Sequence, residues 1–274
     1  MKVDLAIVKI SLKFNEEIVN ELKELSKKNG FEVKYLCHDK IPFYYVNDDV
    51  VVGSYLRMSA SRSRNLLYRK IQSSRVLFLD EDATLSAAAV KFLVDFIPKN
   101  QRCSIIFSGK RNILKKKILR MNDWNFYLIN KFYCEWNTVY DKTLIKGHRL
   151  FPGIGVGSRH EFWSGEGICS LLNIKSNSPV YLRPESVSHP SLSASKDFYT
   201  ASKYIKGYGF TMAYVYKRGS KLLKIITLIR FMSSIFRDIL LPHRIAPSVE
   251  NLNIYLYGIY SLIWKLEGFI GWKR

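Results

Sequence analysis

Apolar runs alternate with amphipathic segments along the first half of the chain. Four compact apolar runs predict buried strands, at residues 3–10, 31–37, 75–79 and 103–107. Between the first two runs, apolar residues at helical spacing follow the capping residue Asn15 and stop at Gly30, which predicts a helix. Strand, helix and strand in this order are typical of a βαβ unit, and therefore of a parallel sheet.

The alternation of predicted strands and helices continues beyond the second strand. Residues 108–150, in the middle of the chain, show no clear pattern of either kind. A helix is predicted over 62–73, and Ser86 caps a helix that ends at Pro98. The glycine-rich stretch 151–167 precedes a predicted helix over 167–175 and a strand over 179–183. We therefore expect an α/β fold with a mostly parallel, mixed sheet flanked by helices.

The last quarter of the chain differs in composition from the rest. Residues 201–274 contain 12 Lys and Arg but only 3 Asp and Glu. Polar residues recur every three or four positions over 221–241, which predicts an amphipathic helix with one polar stripe. Lys224, Arg230 and Arg237 interrupt this segment, and such charges argue against a membrane span. We expect an α/β domain over 1–200 and a basic amphipathic helical region over 201–274.

This basic, apolar region predicts peripheral binding to an anionic membrane, with its cations turned toward the lipid phosphates. Packing of the helices on the catalytic domain, or a homodimer contact, is the alternative. A short apolar run among charges at the N-terminus reads as a strand and not as a signal peptide. Four scattered cysteines without a CxxC pair favour a reducing compartment. We therefore expect a cytoplasmic protein on the inner face of the cell membrane.

Charge narrows the classes of partner. The net charge is +20, from 43 Lys and Arg against 23 Asp and Glu, which favours phosphates, nucleic acid or an anionic bilayer. Residues 50–79 contain six Lys and Arg and no Asp or Glu, so a diphosphate would be favoured there.

The segment FLDEDATLS, residues 78–86, is the sharpest chemical signal. Asp80 and Asp82 stand one residue apart at the carboxyl end of a predicted strand, where ligands bind in open α/β sheets. Carboxylates at this spacing leave an extended chain on the same side and can hold a divalent cation against phosphate oxygens. A solvated acidic turn after a strand is the alternative interpretation.

The longer segment SRSRNLLYRKIQSSRVLFLDEDATLS, residues 61–86, resembles the nucleotide-sugar-dependent glycosyltransferases of the GT-A fold, in particular family 2. The resemblance implies a GT-A, Rossmann-like fold and a nucleotide-sugar donor, with a UDP-sugar favoured. It implies that Arg64 holds the nucleotide diphosphate and that Asp80 lies near the ribose or the donor sugar. Asp82 would then bind Mn²⁺ or Mg²⁺.

The same resemblance extends to two further positions, Glu166 and His189. Ser164-Gly165-Glu166 matches the start of the motif that contains the catalytic base of the inverting enzymes, which makes Glu166 the candidate base. A Gly follows where many relatives have a second acid, and a glutamate at a helix start is the alternative. His189 falls on a late histidine that completes the metal site. The chain departs from the family after the first strand, where the usual opening motif is absent and KISLKFN stands at residues 9–15. Asp39, after the second strand, is the candidate for donor-base recognition.

These observations favour a glycosyltransferase that moves a sugar from a nucleotide-sugar to a saccharide or lipid-linked acceptor in surface polysaccharide or lipopolysaccharide assembly. The resemblance implies inversion and metal dependence. A nucleotidyltransferase is a second hypothesis, but no glycine-rich loop follows the first strand. A non-enzymatic nucleic-acid-binding protein is a third, and the apolar C-terminal region does not fit it.

Overall fold

The computed structural model describes residues 3–38, 45–47, 50–54, 59–97, 102–109, 111–147, 166–189, 198–240 and 254–271. The chain forms two compact units. The first comprises Met1–Met58, Arg62–Leu150 and Asn173–Ser191. The second comprises Ser59–Ser61, Phe151–Leu172 and Leu192–Arg274.

A mixed sheet forms the centre of the first unit. Its ten strands within the described residues are β1 (Ala6–Ser11), β2 (Glu32–Cys37), β3 (Tyr45–Asn47), β4 (Val50–Ser54), β5 (Arg75–Asp80), β6 (Thr84–Leu85), β7 (Ser104–Ser108), β8 (Lys117–Arg120), β9 (Thr138–Asp141) and β10 (Pro179–Ser188). Their order is β3-β4-β2-β1-β5-β9-β7-β10-β6, and β8 also pairs with β10. Strands β4, β2, β1 and β5 are mutually parallel, whereas β9 runs antiparallel to β5 and β7.

Four helices belong mainly to this unit: α1 (Glu16–Asn29), α2 (Ala60–Lys70), α3 (Ala87–Phe96) and α4 (Asp123–Asn130). The predicted ends of α1 are confirmed. Asn15 Oδ1 accepts a hydrogen bond from Glu17 N at 2.9 Å, and Gly30 takes a left-handed conformation with φ of 71°. Apolar residues of α1 and α3 pack with those of the strands in one core, including Leu22 and Leu93. This core holds the strand ends in place.

The second unit is helical over the described residues. It contains α5 (Glu166–Leu171), α6 (Phe198–Arg218), α7 (Lys221–Leu240) and α8 (Ile254–Gly271). Helices α6 and α8 approach with glycine at the contact, because a Cβ on Gly209 would overlap the carbonyl of Lys265 and one on Gly268 the carbonyl of Lys206. None of the described helices combines the length and apolarity that a bilayer crossing requires.

The predicted polar positions of α7 are divided between its two sides: Lys221, Arg230 and Arg237 are exposed, whereas others lie inside the unit. Thr227, Ser234 and Asp238 are buried. The hydroxyl of Thr227 donates to the Leu223 carbonyl at 2.6 Å. Lys265 Nζ on α8 contacts Asp238 and donates to Ser234 Oγ at 2.6 Å. Hydrogen bonding inside the unit thus removes these polar groups from solvent.

Candidate functional site

Asp80 is the last residue of β5 and lies at the edge where the parallel strands end. It stands opposite Ile10 of β1 in the parallel register. A tight turn follows, because Ala83 N donates to the Asp80 carbonyl at 3.1 Å. Asp82 occupies this turn with its side chain half exposed. The two carboxylates therefore stand at the carboxyl edge of the sheet, where open α/β folds bind ligands.

Arg64 of α2 is ion-paired with Asp80. Its Nη2 lies 2.7 Å from Asp80 Oδ1, and the guanidinium is almost fully buried. Burial raises the pKa of Asp80, but the charge of Arg64 and a hydrogen bond from His189 outweigh it, so that the pKa lies below the usual 3.8. The carboxylate is therefore ionised at neutral pH, with its charge compensated on one side.

His189 faces both aspartates. Its Nε2 lies 3.4 Å from Asp80 Oδ2 and 3.2 Å from Asp82 Oδ1. The sheet explains this position, because β10 pairs antiparallel with β6 and places Ser188 opposite Thr84. The residue after β10 is thereby set beside the turn after β5. Three of the residues singled out in the sequence thus meet at one point.

Trp136 covers one face of the His189 imidazole ring. The two rings are stacked, with centroids 4.8 Å apart and an interplanar angle of 26°. Trp136 lies in a short 3₁₀ turn, Glu135–Asn137, before β9. Asn137 fixes this turn, since its Nδ2 donates to the carbonyls of Phe107 at 2.8 Å and Phe132 at 3.0 Å. Sequence reasoning missed Trp136, because nothing in the local pattern relates it to His189.

Glu81 points elsewhere, although it lies between the two aspartates. Its Oε2 accepts a hydrogen bond from Leu12 N, just after β1, at 3.3 Å. Asp80 and Asp82 both face His189, because the tight turn closed by Ala83 N brings Asp82 back beside the end of β5. Only the two outer acids of the triplet therefore belong to the cluster.

The donor atoms present fit a divalent cation in part. No group of three His, Cys, Asp or Glu that could hold a metal occurs among the residues with described positions. Asp82 Oδ1 and His189 Nε2 are 3.2 Å apart, which is close to the roughly 3 Å between neighbouring ligands of an ion with bonds of about 2.1 Å. Asp80 is occupied by Arg64. Two protein donors are compatible with Mg²⁺ or Mn²⁺ that takes its other ligands from phosphate and water.

Two predicted site residues cannot be placed with this cluster. Asp39 lies outside the described residues. Glu166 is the first residue of α5 in the second unit, and its side chain is likewise outside the description. Helix α5 starts where the sequence predicts it but ends at Leu171, earlier than expected. The roles of Asp39 and Glu166 stay predictions.

Three crystal structures of S. aureus TarS 1–349 are similar to this chain: one of TarS 1–349, one of its complex with UDP-GlcNAc and one of its complex with UDP. Their TM-scores are 0.55, 0.57 and 0.56, at sequence identities of 13%, 14% and 13%. Each comparison covers 98% of this chain and 89% of the TarS chain. No protein-family model and no curated protein sequence matches.

TarS is a glycosyltransferase with a GT-A-type fold. The likeness extends over nearly the whole chain, so the predicted GT-A fold class is confirmed. At these identities the likeness establishes the fold.

Proposed function

We propose that this protein is a glycosyltransferase that moves a sugar from a UDP-sugar to a saccharide or lipid-linked acceptor. The observation that carries the proposal is the meeting of Arg64, Asp80, Asp82 and His189 at the carboxyl edge of the parallel strands. The fold around them is one in which TarS binds UDP and UDP-GlcNAc. A buried guanidinium beside two carboxyl side chains suits a ligand that combines phosphates with hydroxyl groups.

Each residue of the cluster has a separate proposed role. Asp82 and His189 would hold Mn²⁺ or Mg²⁺, which neutralises negative charge on the departing diphosphate. Asp80 is fixed by Arg64, so its carboxylate is oriented before a donor arrives and can accept hydrogen bonds from a ribose or sugar hydroxyl. Arg64 adds positive charge behind that carboxylate and raises the local potential toward phosphate.

Glu166 is the proposed general base, and this part rests on the sequence motif alone. The carboxylate would take the proton from the acceptor hydroxyl as the hydroxyl oxygen bonds to the anomeric carbon. The bond from that carbon to the diphosphate oxygen breaks at the same time, with inversion. The nucleoside diphosphate leaves with the electron pair. Asp39 would contact the donor base.

The cellular setting is part of the proposal. The acceptor would be lipid-linked, as in the assembly of surface polysaccharide or lipopolysaccharide. The surplus of nine cations in residues 201–274 fits work at an anionic surface. We therefore propose a cytoplasmic, membrane-peripheral enzyme.

Calorimetric titration with UDP, with Mn²⁺ and then with EDTA, tests the donor site. We expect binding that requires the metal and that falls at least tenfold in Asp82→Asn, because one of two protein donors loses its charge. Glu81→Gln is the matched control, since it removes the same charge one residue away from a side chain that points elsewhere. Equal loss in both variants would mean a general charge effect and would refute the site.

GDP, CDP and dTDP belong in the same titration series, because the cluster itself selects no base. Absence of binding to all four nucleotides, together with tight and salt-sensitive binding to DNA or RNA, would overturn the proposal in favour of a nucleic-acid-binding protein. Release of pyrophosphate from a nucleoside triphosphate and a sugar phosphate would instead indicate a nucleotidyltransferase.

A further inference from the structure

Helix α7 exposes an apolar face along its whole length. The exposed fractions are Ile225 58%, Ile229 60%, Met232 42%, Phe236 56% and Leu240 72%. These positions recur every three or four residues and therefore form one stripe. Leu228 belongs to the same face at 44% exposure. Scattered exposed apolar residues are normal, but a continuous stripe of this length is typical of a binding surface.

Polar residues of α7 are buried on the side opposite the exposed apolar stripe. Asp238 is buried and accepts from Ser261 Oγ at 2.6 Å, besides its contact with Lys265. Burial of a charged pair carries a desolvation cost. Helix α7 thus buries Ser234 and Asp238 beside apolar residues such as Phe231, while a stripe of apolar side chains stays exposed on its outer side.

Helix α8 shows a second stripe of the same kind. Ile259, Ile263, Leu266 and Ile270 are exposed and recur at spacings of three or four residues. Helix α8 packs against α7 and α6 in the same unit. Its exposed Glu267 is paired with Lys206 of α6 at 2.8 Å, so this acid brings no uncompensated negative charge.

The charges on the exposed part of α7 are positive. Lys221, one turn before Ile225, is exposed, and so are Arg230 and Arg237, seven residues apart along one flank. The only acid of α7 is the buried Asp238. An apolar stripe flanked by cations complements a bilayer, because the apolar side chains enter the acyl region while the cations reach lipid phosphates.

We propose that the exposed faces of α7 and α8 dock onto the surface of an anionic lipid bilayer. A second copy of the chain is the competing occupant, but a symmetric contact would bring the cations of two α7 helices together. Anionic lipid removes this repulsion. The inference does not depend on sugar transfer, so it can fail while the donor-site proposal stands, and the reverse.

Co-sedimentation of the full chain with vesicles tests the docking face. One vesicle type contains phosphatidylcholine alone, and the other also contains phosphatidylglycerol. We expect binding to the anionic vesicles and at least tenfold weaker partitioning of the double variant Ile229→Glu/Phe236→Glu, since two apolar side chains no longer enter the bilayer. Leu114→Glu is the matched control, because Leu114 is 88% exposed in the first unit. This control should bind as the wild type does.

Two variants that each remove one positive charge separate the electrostatic contribution to membrane binding from the apolar one. Lys221→Gln and Arg230→Gln should each weaken binding to the anionic vesicles about fivefold, with a smaller effect on neutral vesicles. These two changes and the double variant alter exposed positions, so unchanged circular dichroism and UDP binding should accompany them.

Two results would overturn the proposal. One is vesicle binding of Ile229→Glu/Phe236→Glu equal to that of the wild type. The other is a wild-type dimer by light scattering that ignores vesicles and that the same double variant converts to monomer, which would assign the face to a second copy.

Discussion

Trp136 lies face to face on His189, with ring centroids 4.8 Å apart. The Nε2 atom of the same imidazole ring faces Asp80 and Asp82. The indole thus limits the rotation of the imidazole and leaves its Nε2 aimed at the two carboxylates. Trp136, which is not among the proposed metal ligands, therefore orients His189, which is.

Replacement of Trp136 by Leu tests this positioning role. Loss of the stacking surface lets the His189 ring turn away, so we expect metal-dependent UDP affinity to fall about 10–100-fold, as when groups that orient a metal ligand are removed. Metal-free binding should change less. Calorimetry with and without Mn²⁺ measures both, and the exposed Trp124→Leu serves as control. Equal affinity of the two variants would contradict the role.

The pair Arg64 and Asp80 contributes to stability as well as to the site. Arg64→Gln leaves the carboxylate without its buried partner, and we expect a loss of about 1.5–3 kcal/mol in the free energy of unfolding. Urea denaturation of Arg64→Gln, Asp80→Asn and the double variant forms a double-mutant cycle. Strict additivity of the two single effects would show that the 2.7 Å contact couples nothing.

Acid titration should reveal the lowered pKa of Asp80. A carboxyl whose folded-state pKa is depressed stabilises the fold above its unfolded pKa, here near the ordinary 3.8, and this stabilisation is lost as pH falls through the folded value. Asp80→Asn should therefore be less stable than the wild type at neutral pH. The two stability curves should converge below the ordinary pKa, in urea unfolding at a series of pH values. A constant gap down to the acid limit would argue against the shift.

The close approach of α6 and α8 makes Gly268 sensitive to substitution. Alanine is the better helix former by about 1 kcal/mol, yet its Cβ would overlap the backbone carbonyl of Lys206. We expect Gly268→Ala to destabilise by about 1–3 kcal/mol, the usual range for overpacking. Thermal unfolding measures it, with the exposed Ser233→Ala of α7 as control. A stabilised Gly268→Ala would mean that propensity outweighs the contact.

The buried pair Lys265 and Asp238 should behave differently as a pair and singly. Burial lowers the pKa of Lys265, and Asp238 opposes that shift. Lys265→Met leaves the buried Asp238 without the ammonium group that contacts it, so we expect a loss of about 3–5 kcal/mol. The double variant Lys265→Met/Asp238→Leu should recover most of it. Chemical denaturation measures the free energy of unfolding of both variants. A double variant that is no more stable than Lys265→Met would contradict this prediction.

Local patterns predicted the elements that depend on neighbouring residues. Asn15 and Gly30 bound α1 because caps and left-handed turns are decided within a few residues. The apolar run before Asp80 forms a buried strand, as a short run of consecutive apolar residues predicts. The mixed character of the sheet was expected, but the insertion of β9 between β5 and β7 was not, since strand order depends on contacts distant in sequence.

The orientation of α7 shows where local reasoning fails. Its polar positions were correctly identified, but a helical period does not state which face is covered. Asp238 is buried because Lys265 and Ser261 of α8, more than twenty positions away, supply its partners. The partner helix therefore decided which side of α7 meets solvent.

The sequence by itself determined the strands and capped helices of the α/β pattern and the placing of Asp80 and Asp82 at the end of a strand, because these follow from short-range patterns of apolar residues and local hydrogen bonding. A family resemblance, not spacing, singled out Arg64 and His189. Only the tertiary structure decided that both meet the aspartates and that Trp136 stacks on His189. Such contacts join residues 16 to 109 positions apart. Only the pairing of strands and the packing of the core fix distances across such separations.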